Sequence, residues 1–235
     1  MTLGIFIVAH NQDLILEFEK KKPDDIQVQY ILVGEDPDYS KLPEELFYFN
    51  LLIPYHFVDN IEHHKNLLTF TAWHFLSLVE KTGINMPFDY FGIFEYDIDI
   101  LRPLSKLASV CNKNSIISFS PMEMKSPYFI DKVPGLVESI KKVYNIDVPE
   151  LIKRYSLSTY DRIWGVSTNF IINMEFLQGF VDWYSALIPE IMNYTNYSHF
   201  HERAIKIYSI LNHYQTIYCT DYLKHKGLMS HNIEL

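Results

Sequence analysis

Glu95, Asp97 and Asp99 place three carboxylates within five residues, at the end of the apolar run Tyr90 to Phe94. In an extended segment, alternation turns all three side chains to one side and Tyr96, Ile98 and Ile100 to the other. Carboxylates crowded in this way repel one another unless water, a proton or a cation relieves them. Hard divalent ions such as Mg²⁺ and Mn²⁺ take carboxylate oxygen and keep positions open for substrate phosphates. The alternative is an acidic turn that faces solvent and caps a short helix starting near Pro103. The apolar strand running straight into the cluster favours a site.

The elements around the cluster read as alternating strands and helices. Leu3 to Ala9 is predicted as a buried strand, Asp13 to Lys22 as a helix, and Gln27 to Val33 as a second strand ending at Gly34. Leu51 to Val58 reads as a short strand interrupted by Pro54. A helix follows from Asn66 to Glu80, with Leu68, Ala72, Phe75, Leu76 and Val79 at helical spacing. Beyond the cluster come a short helix after Pro103, a strand Ser115 to Phe119, and helices Pro134 to Val143 and Pro149 to Tyr155. Strand Phe170 to Ile172, helices Glu175 to Met192 and His201 to Asn212, and a late strand Thr216 to Cys219 complete the pattern. Strand, helix, strand at the start predicts an α/β fold with a mostly parallel sheet, and no repeat or linker divides the chain. At the carboxyl ends of such strands a ligand crevice is expected.

Composition bounds the function. The 235 residues are 48% apolar, enough for one large α/β domain. Twenty Lys and Arg against 29 Asp and Glu leave a formal charge of −9, which argues against nucleic-acid backbone binding. Cys111 and Cys219 lack metal-ligand spacing and suit a reducing, intracellular setting. No basic leader precedes the first apolar run, and no run is long enough to span a bilayer, so a cytoplasmic protein is expected. With 17 Tyr and 16 Phe, peripheral membrane contact stays open beside core packing as their use. Neither a Gly-x-Gly-x-x-Gly run after the first strand nor a Walker A sequence is present, which weakens dinucleotide and P-loop readings.

Asp97-Ile98-Asp99, after Phe91-Gly92-Ile93-Phe94 and before Ile100-Leu101-Arg102-Pro103-Leu104, resembles the Asp-x-Asp segment of nucleotide-sugar-dependent glycosyltransferases of the GT-A fold. Chain length and element order are similar to those of small enzymes of this kind from bacteria and large DNA viruses, the latter acting in host cytoplasm. The resemblance implies a single GT-A-like domain with a central mixed, mostly parallel sheet flanked by helices. A nucleotide-binding part would cover about 1–120 and an acceptor-side part about 121–235. It implies transfer of a sugar from a nucleoside diphosphate donor, UDP-linked, to a glycan or other hydroxyl acceptor, with Mn²⁺ or Mg²⁺ stabilising the departing diphosphate. Asp99 becomes the primary metal ligand, Asp97 its nucleotide-side partner, and Glu95 a supporting carboxylate.

The same resemblance assigns further residues. Ala9, His10 and Asn11, in the first strand-to-helix loop, would contact the nucleotide, although Asn11 equally suits a helix cap. Lys65, beside His63, His64 and Asn66, is a candidate for phosphate in an acidic chain. In Trp164-Gly165-Val166-Ser167-Thr168-Asn169, Trp164 would stack on a sugar, Gly165 permit close backbone approach, and Asn169 bond hydroxyls; Trp164 equally suits a core. Glu202 near a helix start would act as base toward the acceptor if the reaction inverts, or pair locally with Arg203. His231 would return to the metal, with His225 as runner-up and Lys224 or Lys226 against the diphosphate. Acidic pairs also serve metal-dependent nucleotidyltransferases and phosphohydrolases, and a non-catalytic carbohydrate-binding protein is the third class.

Overall fold

The structure is a computed structural model. It describes residues 1–44, 46, 48–51, 63, 66–84, 86–124, 129–159, 162–195 and 197–226, with Leu68 described by its backbone. In chain order the elements are β1 (Leu3–Ala9), α1 (Gln12–Glu19), β2 (Gln29–Leu32), β3 (Tyr48–Asn50), α2 (Leu68–Lys81), β4 (Tyr90–Glu95) and β5 (Ile98–Ile100). A 3₁₀ helix (Leu104–Ser109) leads to β6 (Ser115–Ser118), β7 (Pro121–Glu123), α3 (Pro134–Tyr144), α4 (Val148–Thr159), β8 (Ile163–Gly165) and β9 (Phe170–Asn173). Then come α5 (Met174–Ser185), α6 (Ile188–Ile191), a 3₁₀ turn (Tyr197–His199), α7 (Phe200–Leu211), β10 (Gln215–Tyr218) and β11 (Leu223–His225).

Seven strands form a central sheet in the order β10-β6-β9-β4-β1-β2-β3, in which β9 alone runs antiparallel to its neighbours. This is the α/β class with a mixed, mostly parallel sheet that the strand–helix alternation predicts. Helices cover both faces, so the strands are apolar on both sides. Phe6 and Val8 face one core with Phe91 and Ile93 of β4, against α2, α5 and α7. Ile7 and Ala9 face the other with Tyr30, Leu32 and Phe94, against Ile15 and Phe18 of α1 and Leu104 and Leu107 of the 3₁₀ helix.

Two small ribbons stand beside the sheet: β5 pairs with β11 and β7 with β8, both antiparallel. The helix predicted over 175–192 is two helices, α5 and α6. Pro189 lacks an N–H and crowds the carbonyl four residues back, at the end of α5. Of the strand predicted over 51–58, only Leu51 is described; its N–H donates to the Leu32 carbonyl at 2.9 Å, continuing the β3 edge. No described helix is long and apolar enough to cross a membrane.

Parallel pairing sets the site edge. Val8 of β1 lies opposite Glu95 of β4, so both strands end at the same rim. Antiparallel β9 begins at that rim, because Phe170 pairs with Ile93, and this delivers Thr168 and Asn169 to the end of β4. A loop before a parallel strand would lie at the opposite edge.

Candidate metal and sugar site

Glu95 shares the parity of Ile93 and therefore points to the face covered by α2 and α7. Its Oε1 accepts from the Thr168 hydroxyl at 2.7 Å and the Thr69 hydroxyl at 3.0 Å, and its backbone N–H donates to Asn169 Oδ1 at 2.7 Å. Its Oε2 lies 3.5 Å from His225 Nε2. The same imidazole nitrogen is 3.4 Å from Asp97 Oδ1, a buried oxygen with no hydrogen-bond partner among the described residues. Ligand atoms of Glu95, Asp97 and His225 lie within 4.8 Å of one another.

The electrostatics of this trio are unequal. Burial pushes the Glu95 carboxyl up, but the His225 contact and the two threonine hydroxyls outweigh it and hold the group below its ordinary value. Asp97 is held above its ordinary value, first by burial and then by the charge of Glu95. His225 is raised, foremost by its contact with Glu95. A proton on the imidazole is one species that can offset the two carboxylates, and a divalent cation is another. Two carboxylate oxygens and one imidazole nitrogen are a fitting donor set for such an ion, and the Asp97 oxygen, which accepts no hydrogen bond, is one a cation would satisfy.

The expectation of three carboxylates on one side of an extended segment does not hold. The chain turns at Tyr96–Asp97, and Asp99 continues into β5, which pairs with β11 rather than with the main sheet. Alternation survives only while the strand is straight. Asp99 lies outside the converging trio and pairs with Lys226 Nζ at 3.3 Å, while the Lys226 N–H donates to the Asp97 carbonyl at 2.9 Å. Glu95, expected only to support the pair, belongs to the trio. His225 enters because the β5–β11 register sets it opposite Ile98. Lys65, His64 and His231 lie outside the described residues.

The remaining candidates fall around this centre. Ala9 is buried, and its carbonyl accepts from the Val33 N–H at 2.9 Å. His10 sits edge-on to Tyr96, ring centroids 5.3 Å apart, next to the turn. Asn11 caps α1, accepting from the Leu14 N–H at 3.1 Å. The following Gln12 N–H donates to Glu35 at 2.7 Å, tying the first loop to the one after β2.

Trp164 has no exposed surface: its indole packs on Phe129, and the Arg203 guanidinium lies 4.8 Å over the ring. Of its two expected uses the core one holds, because β8 turns it inward under α7. Asn169 is also buried: its Oδ1 accepts from the Glu95 N–H and its amide donates to Ser167 Oγ at 3.1 Å, so it positions the site. Glu202 accepts from the Ser167 N–H at 2.7 Å and pairs with Arg203. With both oxygens engaged it holds the turn at Ser167, whose φ of 78° is left-handed, and the general-base expectation gains no support from this geometry. Thr69 and Thr168 are the site residues that sequence reasoning missed. Thr168 lay inside the singled-out loop, but nothing in the sequence places Thr69 near Glu95.

No protein-family model matches the chain, and no curated protein matches it. Among solved structures, the apo structure of WbbM, a bifunctional glycosyltransferase, aligns over 95% of this chain with a TM-score of 0.55 at 12% identity. The chain spans 45% of that protein's length. The fold is therefore glycosyltransferase-like.

Proposed function

We propose that the chain transfers a sugar from a nucleoside diphosphate donor, UDP-linked, to a hydroxyl acceptor, with Mn²⁺ or Mg²⁺ as cofactor. The observation that carries this reading is the convergence of Glu95, Asp97 and His225 at the carboxyl-terminal rim of a glycosyltransferase-like sheet. Asp97, Glu95 and His225 would hold the ion; the imidazole favours Mn²⁺ over the more strictly oxygen-seeking Mg²⁺. A bound ion there supplies positive charge against the diphosphate as it leaves. Lys226, beside Asp99 on the same rim, adds a cation toward that group. His10 and the stitched loop of Asn11, Gln12 and Glu35 flank the position of the nucleotide. Glu202 enters as the residue that keeps Ser167, and through it Asn169 and Glu95, in place.

The test is hydrolysis of a panel of nucleotide sugars with and without Mn²⁺, which needs no acceptor. Asp97→Ala is expected to weaken Mn²⁺ affinity and donor hydrolysis by about 100-fold, and Asp99→Ala by clearly less. Mn²⁺ should also raise the Tm of the wild type and leave that of Asp97→Ala unmoved, since only a bound ligand stabilises. Hydrolysis indifferent to Mn²⁺, or an Asp97→Ala protein as active as wild type, refutes the reading. Metal-dependent release of inorganic phosphate or pyrophosphate without sugar transfer would replace it with the phosphoryl-transfer alternative.

A further inference from the structure

The run Leu101-Arg102-Pro103-Leu104 continues β5 toward the 3₁₀ helix. Leu104 is buried in one core with Ile98 and Leu223, which anchors the run. Proline biases the residue before it toward extended backbone, and the ladder does carry on past β5: the Leu101 N–H donates to the Tyr222 carbonyl at 2.9 Å. Continuing the β5–β11 register two residues beyond Ile100 and Leu223 sets Arg102 opposite Asp221. Arg102 Nη1 lies 2.7 Å from Asp221 Oδ2, and the guanidinium stands 5.8 Å from the centroid of the Tyr222 ring. One side chain thus grips the two residues that lead into β11, through a directly opposed charge pair and an aromatic face.

What this grip decides is register. β11 is three residues long and pairs with β5 alone. A one-residue slip would turn buried Leu223 out of the core, so burial opposes it strongly. A two-residue slip preserves the alternation of faces, and the pattern opposes it less. It would carry His225 about 7 Å along the strand. That is well beyond the 3.4 and 3.5 Å that now separate its Nε2 from Asp97 and Glu95. Charge pairs at both ends of the ribbon oppose this slip: Arg102 with Asp221 before β11, and Lys226 with Asp99 after it. Of the two cations, Arg102 is the one farther along the chain from His225 and Asp97.

We propose that Arg102 is a positioning residue: by holding Asp221 and Tyr222 it fixes the register of β11 that sets His225 against Glu95 and Asp97. It acts through those two residues and is no part of the donor set. The consequence for a bound ion rests on the proposed function, whereas the register does not.

Amide hydrogen exchange in the full chain reads the register without metal. The Leu101 and Lys226 N–H groups bond across the ribbon, to the Tyr222 and Asp97 carbonyls. Arg102→Ala is expected to speed their exchange by about fivefold, the loss suited to one exposed ion pair and one cation–π contact. Amides of β1 and β4 should keep their rates, and the Tm should hold, because the Arg102 and Asp221 side chains are more than half exposed. Arg102→Lys, which keeps the charge, should recover part of the protection. Asp221→Asn should lose part of it, and adding Asp221→Asn to Arg102→Ala should lose no more than Arg102→Ala alone. In pulsed EPR, Mn²⁺ bound to the wild type should show imidazole ¹⁴N coupling. Arg102→Ala should weaken that coupling and lower Mn²⁺ affinity by up to the same factor. Unchanged exchange at Leu101 and Lys226 in Arg102→Ala overturns the proposal and leaves the metal reading standing. So do fully additive losses in the double variant, or faster exchange with undiminished coupling and affinity. A wild type that binds no Mn²⁺ refutes the metal reading instead, and the exchange rates then decide the role of Arg102 alone.

Discussion

Glu95 divides its two oxygens between two neighbourhoods. Oε1 takes the Thr69 and Thr168 hydroxyls, and Oε2 faces His225. The hydroxyls favour the ionised carboxylate, so removing one should raise its proton affinity and weaken what it offers a cation. Thr168→Val is expected to lower Mn²⁺ affinity by about tenfold, as loss of an orienting partner typically does, and Thr168→Ser to restore it, measured by calorimetric titration. Equal affinity in Thr168→Val and wild type would show the hydroxyl to be incidental. At this scale the sequence displayed the acidic cluster plainly, because the residue types and the strand before them are local facts. Which carboxylates converge was not legible. The turn at Tyr96–Asp97 redirects the chain, so that Asp99 meets Lys226 and leaves Glu95 and Asp97 to share His225.

The elements that place these residues are short and rely on close approach. In the β7–β8 ribbon, a Cβ on Gly165 would lie 2.1 Å from Ser118 Oγ and 2.9 Å from Ser118 Cβ. Gly165 thus serves packing between the ribbon and β6, not approach to a substrate. Gly165→Ala is expected to cost about 1–3 kcal/mol by overpacking, read from denaturant unfolding. Adding Ser118→Ala should recover part of the loss, since it removes the nearer atom. A Gly165→Ala protein of unchanged stability would refute the clash. Long helices such as α2 and α7 were visible through their periodicity. β11 was not, since its three residues gain strand geometry only from pairing with β5, which no local pattern announces. His225 was for that reason only a runner-up in the sequence, behind a histidine outside the described residues.

Across the whole molecule, burial turns one histidine into a pH-dependent contribution to stability. His201 is packed among Phe70, Trp73, Phe180 and Tyr184; this burial lowers its pKa to about 3, and the charge of Glu95 pulls slightly the other way. The unfolded chain takes up that proton near the ordinary value of 6.5, the folded chain only near 3. The unfolded state therefore binds more protons between those values, and stability is lost as pH falls through that window. Wild type should show a steeper acid limb than His201→Phe, by up to about one proton in slope, in unfolding free energies measured from pH 7 to 4. Parallel limbs would mean that His201 is hydrated enough to protonate in the fold. The sequence by itself determined the α/β class, the apolar strands and long helices, and the presence of a concentrated acidic segment at a strand end, because these follow from composition and period. Tertiary structure alone decided the membership of the site. Antiparallel β9 brings Thr168 and Asn169 to Glu95, and the β5–β11 pairing brings His225. Each of these contacts joins residues far apart in the chain, where spacing carries no information about distance.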